Sequence, residues 1–192
     1  MNGILTERFI EALEFATRLH DIQLRKGSGT PYLAHPLAVA SLVLEAGGSE
    51  DEVIAALLHD GPEDQGGLET LEEIRRRFGG GVAQIVAECS DSLELQKPPW
   101  RVRKLAYLQG LETASSSALL VSCADKLHNA RSIITDYRLL GEQLWVRFRG
   151  GRDGTLWYYR ELVNHYDSRA DPPALFAELS RTVAELEALT RL

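Results

Sequence analysis

The stretch Leu57-Leu58-His59-Asp60-Gly61-Pro62-Glu63-Asp64 places four ionisable side chains directly after an apolar segment. Ser49 and Glu52 have the spacing of a capping box, and the apolar residues that follow them predict a buried helix. Gly61-Pro62 is expected to end this helix, because proline has no N–H to continue its hydrogen bonds. Imidazole nitrogen and carboxylate oxygen suit a divalent cation such as Mn²⁺, Fe²⁺ or Zn²⁺. The same pattern also fits a histidine at a helix end followed by solvated acids.

The composition is that of one globular domain. The 192 residues carry 21 basic and 28 acidic side chains, and the formal net charge of −7 argues against nucleic-acid and anionic-membrane partners. The N-terminus meets charge too early for a signal peptide, and Cys89 and Cys123 are far apart in apolar surroundings. We therefore expect a cytoplasmic protein with a reduced interior.

Helical periodicity of apolar residues runs through almost the whole chain. It predicts an all-α fold, a single-domain helical bundle over residues 1–192 with a central metal site. Thr70 and Glu73 form a second capping-box pattern, and the apolar stripe of the last helix fits either a core face or a homodimer contact. The predicted helices are 6–19, 36–46, the stretch after Ser49, 70–78, 82–93, 98–112, 118–134, 155–165 and 172–189.

Two further segments carry candidate ligands. His35 directly precedes Pro36 at the start of a predicted helix, so its imidazole can point along the helix axis towards the interior. Asp125 lies beside apolar neighbours, with His128 and Asn129 one helical turn further on. A buried carboxylate needs a cation or a base. For Asp125 that partner is either a metal ion or one of the nearby bases Lys126 and Arg131.

Three linked motifs resemble the HD-domain hydrolases of the RelA/SpoT group, and most closely the small alarmone hydrolases. They are Arg25-Lys26-Gly27-Ser28-Gly29-Thr30-Pro31-Tyr32-Leu33-Ala34-His35-Pro36, then His59-Asp60 with Glu63-Asp64, then Ala124-Asp125-Lys126-Leu127-His128-Asn129-Ala130-Arg131. Their order and spacing both match. The resemblance covers a motif-bearing core of about residues 6–134 and transfers no roles to the helical extension of about residues 135–192.

The resemblance implies a metal-dependent hydrolase that removes the 3′-pyrophosphate of guanosine tetra- and pentaphosphate, giving GDP or GTP, with one Mn²⁺ as the usual cofactor. It implies roles by position, with His35, His59, Asp60 and Asp125 as metal ligands, Glu63 and Asp64 as catalytic acids, and Arg25, Lys26 and Asn129 as substrate contacts. The partner is then a small phosphorylated nucleotide.

Two other functions stay open at this point. The same chemistry could act on an adenosine alarmone, another phosphorylated nucleotide or a cyclic nucleotide, because base choice depends on pocket shape. The fold could also serve as a non-catalytic nucleotide-binding module, which the intact set of ligands disfavours.

Some residues depart from the family pattern or lie outside it. Gly61-Pro62 before the acidic pair and Gln65 after it differ from many members, which affects substrate preference more than metal binding. Lys97 or Arg101 could hold the 5′-phosphates, although a solvated helix face explains that basic patch as well. Arg147, in a glycine- and arginine-rich stretch, raises the same question.

Overall fold

The regular structure is helical. The computed structural model describes residues 5–93, 96–169 and 173–191. Within these ranges the only β-type pairing is an isolated bridge between Leu24 and Pro31, so the prediction of an all-α fold is confirmed. The helices are α1 (Glu7–Leu19), α2 (Ala34–Glu45), α3 (Glu50–Leu58), α4 (Gly61–Asp64), α5 (Leu68–Phe78), α6 (Gly80–Cys89), α7 (Trp100–Leu111), α8 (Ser116–Leu140), a 3-10 helix (Gly141–Arg147), α9 (Gly151–Asp167) and α10 (Phe176–Leu189).

Helix α3 is the centre of the bundle. Every residue from Val53 to Leu58 is fully buried, and α1, α2, α6 and α8 pack around it. The predicted capping box is present, because the Ser49 N–H donates to Glu52 Oε2 at 2.6 Å and the Ser49 side chain accepts from the Glu52 N–H. An apolar helix with a well-defined start thus delivers His59 to the interior.

The turn after α3 differs from the prediction in one respect. Helix α3 ends at Leu58, before Gly61-Pro62 is reached, and Gly61-Pro62 begins the short helix α4. Proline fits the first turn of a helix, where its missing N–H would have no helical acceptor. The chain therefore bends at His59 and Asp60, and the next two acids lie on a new helical turn.

The second predicted capping box is wrong. Helix α5 begins at Leu68 after Gly67, whose φ of 60° suits glycine, and no side chain caps it. The Thr70 hydroxyl donates instead to the Gln65 carbonyl oxygen, and Glu73 pairs with Arg76 and Arg77.

Several helix ends also lie elsewhere than predicted. Helix α8 continues past residue 134 to Leu140, and α9 begins at Gly151 rather than at Thr155. Helix α6 stops at Cys89 because Ser90 is extended. The predicted start of the last helix at Pro172 lies outside the described residues.

Two glycines of the 147–154 stretch, Gly150 and Gly154, lie against the indole ring of Trp100. A Cβ atom on Gly150 would lie 2.7 Å from a ring carbon of Trp100, and one on Gly154 would lie 3.2 Å away. Since a side chain at either position would meet the indole, the glycines let α7 and α9 pack closely through Trp100.

The last helix contributes to the core. Leu179, Val183 and Leu186 are at most 4% exposed, so the core alternative for this stripe is the one observed. Cys89 and Cys123 are both buried and free. No helix among the described residues has the length and apolar character needed to cross a membrane.

Candidate metal centre and nucleotide cavity

Three helices bring three buried ligand groups together. His35 lies in the first turn of α2, His59 follows α3 directly, and Asp125 lies on α8. One ligand atom from each of the three lies within 4.8 Å of the others. The Asp125 Oδ1 is 3.1 Å from His35 Nε2 and 3.7 Å from His59 Nε2. The cluster is a candidate site for one divalent cation.

Asp60 borders the same cluster. Its Oδ2 lies 3.3 Å from His35 Nε2 and 3.1 Å from His59 Nε2. The same oxygen accepts a hydrogen bond from the Tyr32 hydroxyl at 2.6 Å. The structure therefore places all four ligands expected from the sequence around one point, with Tyr32 orienting the fourth.

The imidazole of His59 fits a metal ligand. Its Nδ1 lies 2.8 Å from the Ala56 carbonyl oxygen, which can only accept, so Nδ1 carries the proton of the neutral ring. The lone pair is then on Nε2, which is buried, faces the two carboxylates and has no hydrogen-bond partner. Metal-bound histidines are held by such a bond from the other ring nitrogen. The residues present thus fit a divalent cation.

Electrostatics at the cluster favour a positive charge. Burial alone would lower the pKa of His59, but the carboxylates of Asp60 and Asp125 raise it well above its usual value. Burial would raise the pKa of Asp60, yet the neighbouring imidazoles hold it well below its usual value. A site that stabilises a proton on imidazole in this way also stabilises a metal ion.

The structure shows which side chains contact the Asp125 carboxylate. Lys126, which is only 8% exposed, donates to Asp125 Oδ2 at 2.5 Å, while Asn129 donates to Oδ1. Burial would raise the pKa of Asp125, but the Lys126 charge and the two neighbouring imidazoles hold it well below its usual value. Arg131 pairs with Glu178 instead. One carboxylate oxygen is thus neutralised by lysine, and the other faces the histidines.

His128 supports His35, a contact that the sequence did not predict. The two Nδ1 atoms lie 2.7 Å apart. Burial, assisted by the charges of His35 and Arg25, lowers the pKa of His128 to about 4. His128 is therefore neutral near pH 7 and can accept the Nδ1–H of His35, which leaves the Nε2 of His35 free to face the cluster.

A cavity of ≈ 670 Å³ adjoins the cluster, and Arg25, Lys26 and Asn129 all line it. Arg25 Nη2 donates to Asn129 Oδ1 at 3.3 Å, while its Nη1 is buried without a hydrogen-bond partner. Because Asn129 also donates to Asp125, a hydrogen-bonded chain joins the cavity wall to the cluster. The unpaired Nη1 is a donor suited to a phosphate oxygen.

The two acids of α4 lie in different surroundings. Asp64 lines the cavity and accepts from Gln23 Nε2 at 2.8 Å. Glu63 accepts from Lys97 Nζ at 3.0 Å and from the Asp91 N–H at 3.3 Å. A second cation, Arg103, lies 3.6 Å from Glu63 Oε1. Separate roles for these two acids could not be predicted from the sequence, whereas their surroundings in the structure clearly differ.

The basic residues that the sequence suggested as phosphate contacts do not all lie at the cavity. Lys97 neutralises Glu63, and the Arg101 guanidinium stacks over Trp157 at 3.2 Å, on a separate surface groove. Arg147, in contrast, lines the cavity and lies against Gly27, where a Cβ would be 2.3 Å from its guanidinium carbon. No short-range pattern signals this contact, because it joins the first motif to a residue in the helical extension.

Comparisons with known proteins agree with this geometry. A family model described as HD domain matches residues 12–156. Human guanosine-3′,5′-bis(diphosphate) 3′-pyrophosphohydrolase MESH1 is 40% identical over 134 residues, which cover 68% of this chain and 72% of that protein. The chain is also similar to a solved metazoan SpoT ortholog reported to hydrolyse ppGpp, with a TM-score of 0.77 and 28% identity over 94% of this chain and 96% of that one. The lmo0812 structure from Listeria monocytogenes has a TM-score of 0.70 at 32% identity, covering 79% and 97% of the two chains.

Proposed function

Because this chain belongs to the HD domain family, we propose that it hydrolyses the 3′-pyrophosphate of guanosine tetra- and pentaphosphate with Mn²⁺ as its cofactor. The observation that carries the proposal is the buried His35, His59 and Asp125 cluster beside a cavity lined by Arg25 and Lys26. The relatives named for this activity support the same substrate.

The proposed metal ligands are His35, His59, Asp60 and Asp125. Two imidazole nitrogens and two carboxylate oxygens suit a divalent cation such as Mn²⁺, Fe²⁺ or Zn²⁺, and we propose Mn²⁺ because it is the usual cofactor implied by the resemblance to the small alarmone hydrolases. A bound divalent cation supplies Lewis-acid stabilisation of phosphoryl oxygens and a lowered pKa for water.

The proposed roles of the other residues follow from their contacts. Arg25, with a free buried Nη1, and Lys26 neutralise phosphate oxygens in a protein of net charge −7. Asn129 is hydrogen-bonded to both Arg25 and Asp125 and so positions these two side chains. It also contacts the nucleotide in this proposal. Tyr32 donates to Asp60 and so orients it.

The two acids take separate parts in this proposal. Glu63 is the general base, because a carboxylate can accept a proton from the attacking water. Lys97 and Arg103 hold the Glu63 carboxylate in place. Asp64, on the cavity wall, orients the attacking water, while Gln23 holds its Oδ2.

The experiment is incubation of metal-stripped protein with guanosine tetraphosphate, with and without Mn²⁺, and separation of the products by ion-exchange chromatography. We expect GDP and pyrophosphate only with Mn²⁺, and parallel samples with Zn²⁺ and Fe²⁺ rank the metals. No turnover by folded protein that has bound Mn²⁺ would reject this substrate.

A further inference from the structure

The cavity has two chemically different ends along helix α8. At one end, His128 and Asn129 contact the metal-ligand candidates His35 and Asp125. At the other end, Ile133 and Asp136 line the same cavity. From Asp125 to Asp136 is eleven residues, about 16 Å at the helical rise, with these side chains spaced at three and four residues on one face. That length accommodates a ribose between a phosphate and a base.

The far end has the composition of a base site. Leu144 and Phe148, from the 3-10 helix and the residue after it, line the cavity together with Ile133. Apolar and aromatic walls suit a flat purine, and one polar group then decides its orientation. That group is the carboxylate of Asp136, which lies 3.3 Å from Arg147 Nη1.

We propose that Asp136 makes this site select guanine over adenine. The proposal rests on the proposed hydrolysis at this cavity and adds the residue that reads the base. A carboxylate offers only acceptors, and guanine presents two adjacent donors, N1–H and the N2 amine. Adenine presents an N1 acceptor beside one amine. The lone pair on N1 would therefore face the lone pairs of the carboxylate, which is unfavourable. Arg147 donates to Oδ2 of Asp136, which leaves the lone pairs of Oδ1 to accept hydrogen bonds from the base.

Replacing Asp136 by asparagine tests this chemistry without a change of shape. The amide presents one donor and one acceptor, which matches the N1 and the amine of adenine but sets a donor against a donor at the N1–H and N2 amine edge of guanine. In Asp136→Asn we expect the ratio of kcat/KM for guanosine over adenosine tetraphosphate to fall by roughly tenfold or more. Asp153→Asn, the same change at an exposed site, is the control and should keep the wild-type ratio.

A second variant separates base reading from a structural role. If Asp136 serves only to anchor Arg147, then Arg147→Gln must change the ratio as much as Asp136→Asn does. We expect Arg147→Gln to weaken the binding of both nucleotides while keeping the preference for guanosine. An equal loss of preference in both variants would overturn the proposal.

Binding provides a readout that does not depend on turnover. With metal-stripped protein, calorimetry should give tighter binding of GDP than of ADP for the wild type, and a difference close to zero for Asp136→Asn. Equal binding of GDP and ADP by the wild type would overturn the inference. Guanine selectivity in binding, without hydrolysis of guanosine tetraphosphate, would reject the proposed function and keep the inference.

Discussion

The side-chain amide of Gln23 donates to Asp64 Oδ2 across 2.8 Å, linking the start of the loop that carries Arg25 and Lys26 to helix α4. The orientation of that amide is itself fixed, because its Oε1 accepts from Gln65 and lies 2.7 Å from His20 Nδ1. His20 is the residue that ends helix α1 and is only 2% exposed. Gln65, a departure from the family pattern, thus has a structural use in this chain.

We predict that Gln23→Ala lowers kcat by about tenfold, since a hydrogen bond to a charged group contributes roughly 1.5–3 kcal/mol. If Gln23 acts through Asp64, the same change in an Asp64→Asn background lowers kcat no further. Steady-state kinetics of the four proteins decide this, and additive losses would contradict it. Gln84→Ala is the matched control, because Gln84 also donates to a carboxylate, that of Glu88, at an exposed position on α6.

A second prediction concerns the buried pair of Asp125 and Lys126. Asp125→Ala should abolish metal retention, and it should also cost about 3–5 kcal/mol of unfolding free energy because the Lys126 ammonium loses its partner. The double variant Asp125→Ala with Lys126→Met should recover most of that stability and still bind no metal. Denaturant unfolding and metal analysis test both parts. Unchanged stability in the single variant would show that Lys126 does not depend on Asp125.

Glu63→Gln should separate metal binding from turnover. The amide keeps the shape but cannot act as a base, so we expect full Mn²⁺ content and a kcat lowered by roughly 10²–10⁴-fold. Lys97→Met is the comparison, because it removes the ion pair at 3.0 Å and keeps the carboxylate. A Glu63→Gln protein with wild-type kcat would remove Glu63 from the mechanism.

The fourth prediction uses two glycines of one loop. Gly27 and Gly29 have φ values of 87° and 69°, so alanine at either position is strained by about 1 kcal/mol. Only at Gly27 would the new Cβ meet the Arg147 guanidinium, whereas nothing lies within 4 Å at Gly29. We expect Gly27→Ala to raise KM for guanosine tetraphosphate more than Gly29→Ala does. In an Arg147→Ala background the two variants should behave alike, and a persistent difference would contradict the contact.

Local patterns predicted most of the helices, and the resemblance to the HD-domain hydrolases predicted which candidate ligands share one site. The Ser49 capping box, the apolar residues before His59 and the position of His35 before Pro36 are all short-range signals, and the structure brings the corresponding side chains together. The same reasoning failed at Thr70, where a capping-box spacing occurs inside a helix that has already begun at Leu68.

The supporting contacts were not predictable in the same way. Gln23 and Asp64 are 41 residues apart in sequence, and Lys97 and Glu63 are 34 apart. Such pairs depend on which helix ends meet, and no residue spacing encodes that. The base-site candidates Asp136 and Phe148 lie beyond the motifs, so their place on the cavity wall became visible only with the packed helices.

The last prediction concerns Trp100 and the glycines beneath it. Gly150 has a φ of −81°, which alanine adopts without strain, so any cost of Gly150→Ala comes from the indole, whose ring carbon would be 2.7 Å from the new Cβ. We expect a loss of about 1–3 kcal/mol in unfolding free energy, the usual cost of overpacking.

The same substitution in a Trp100→Leu background should cost much less, because the smaller side chain leaves room for the methyl group. Thermal or denaturant unfolding of the four proteins measures the coupling. Helix α7 also carries Arg103, which lies beside Glu63, so Gly150→Ala should lower kcat together with stability. An equal cost in both backgrounds would mean that contact with Trp100 is not the reason that a glycine is needed at position 150.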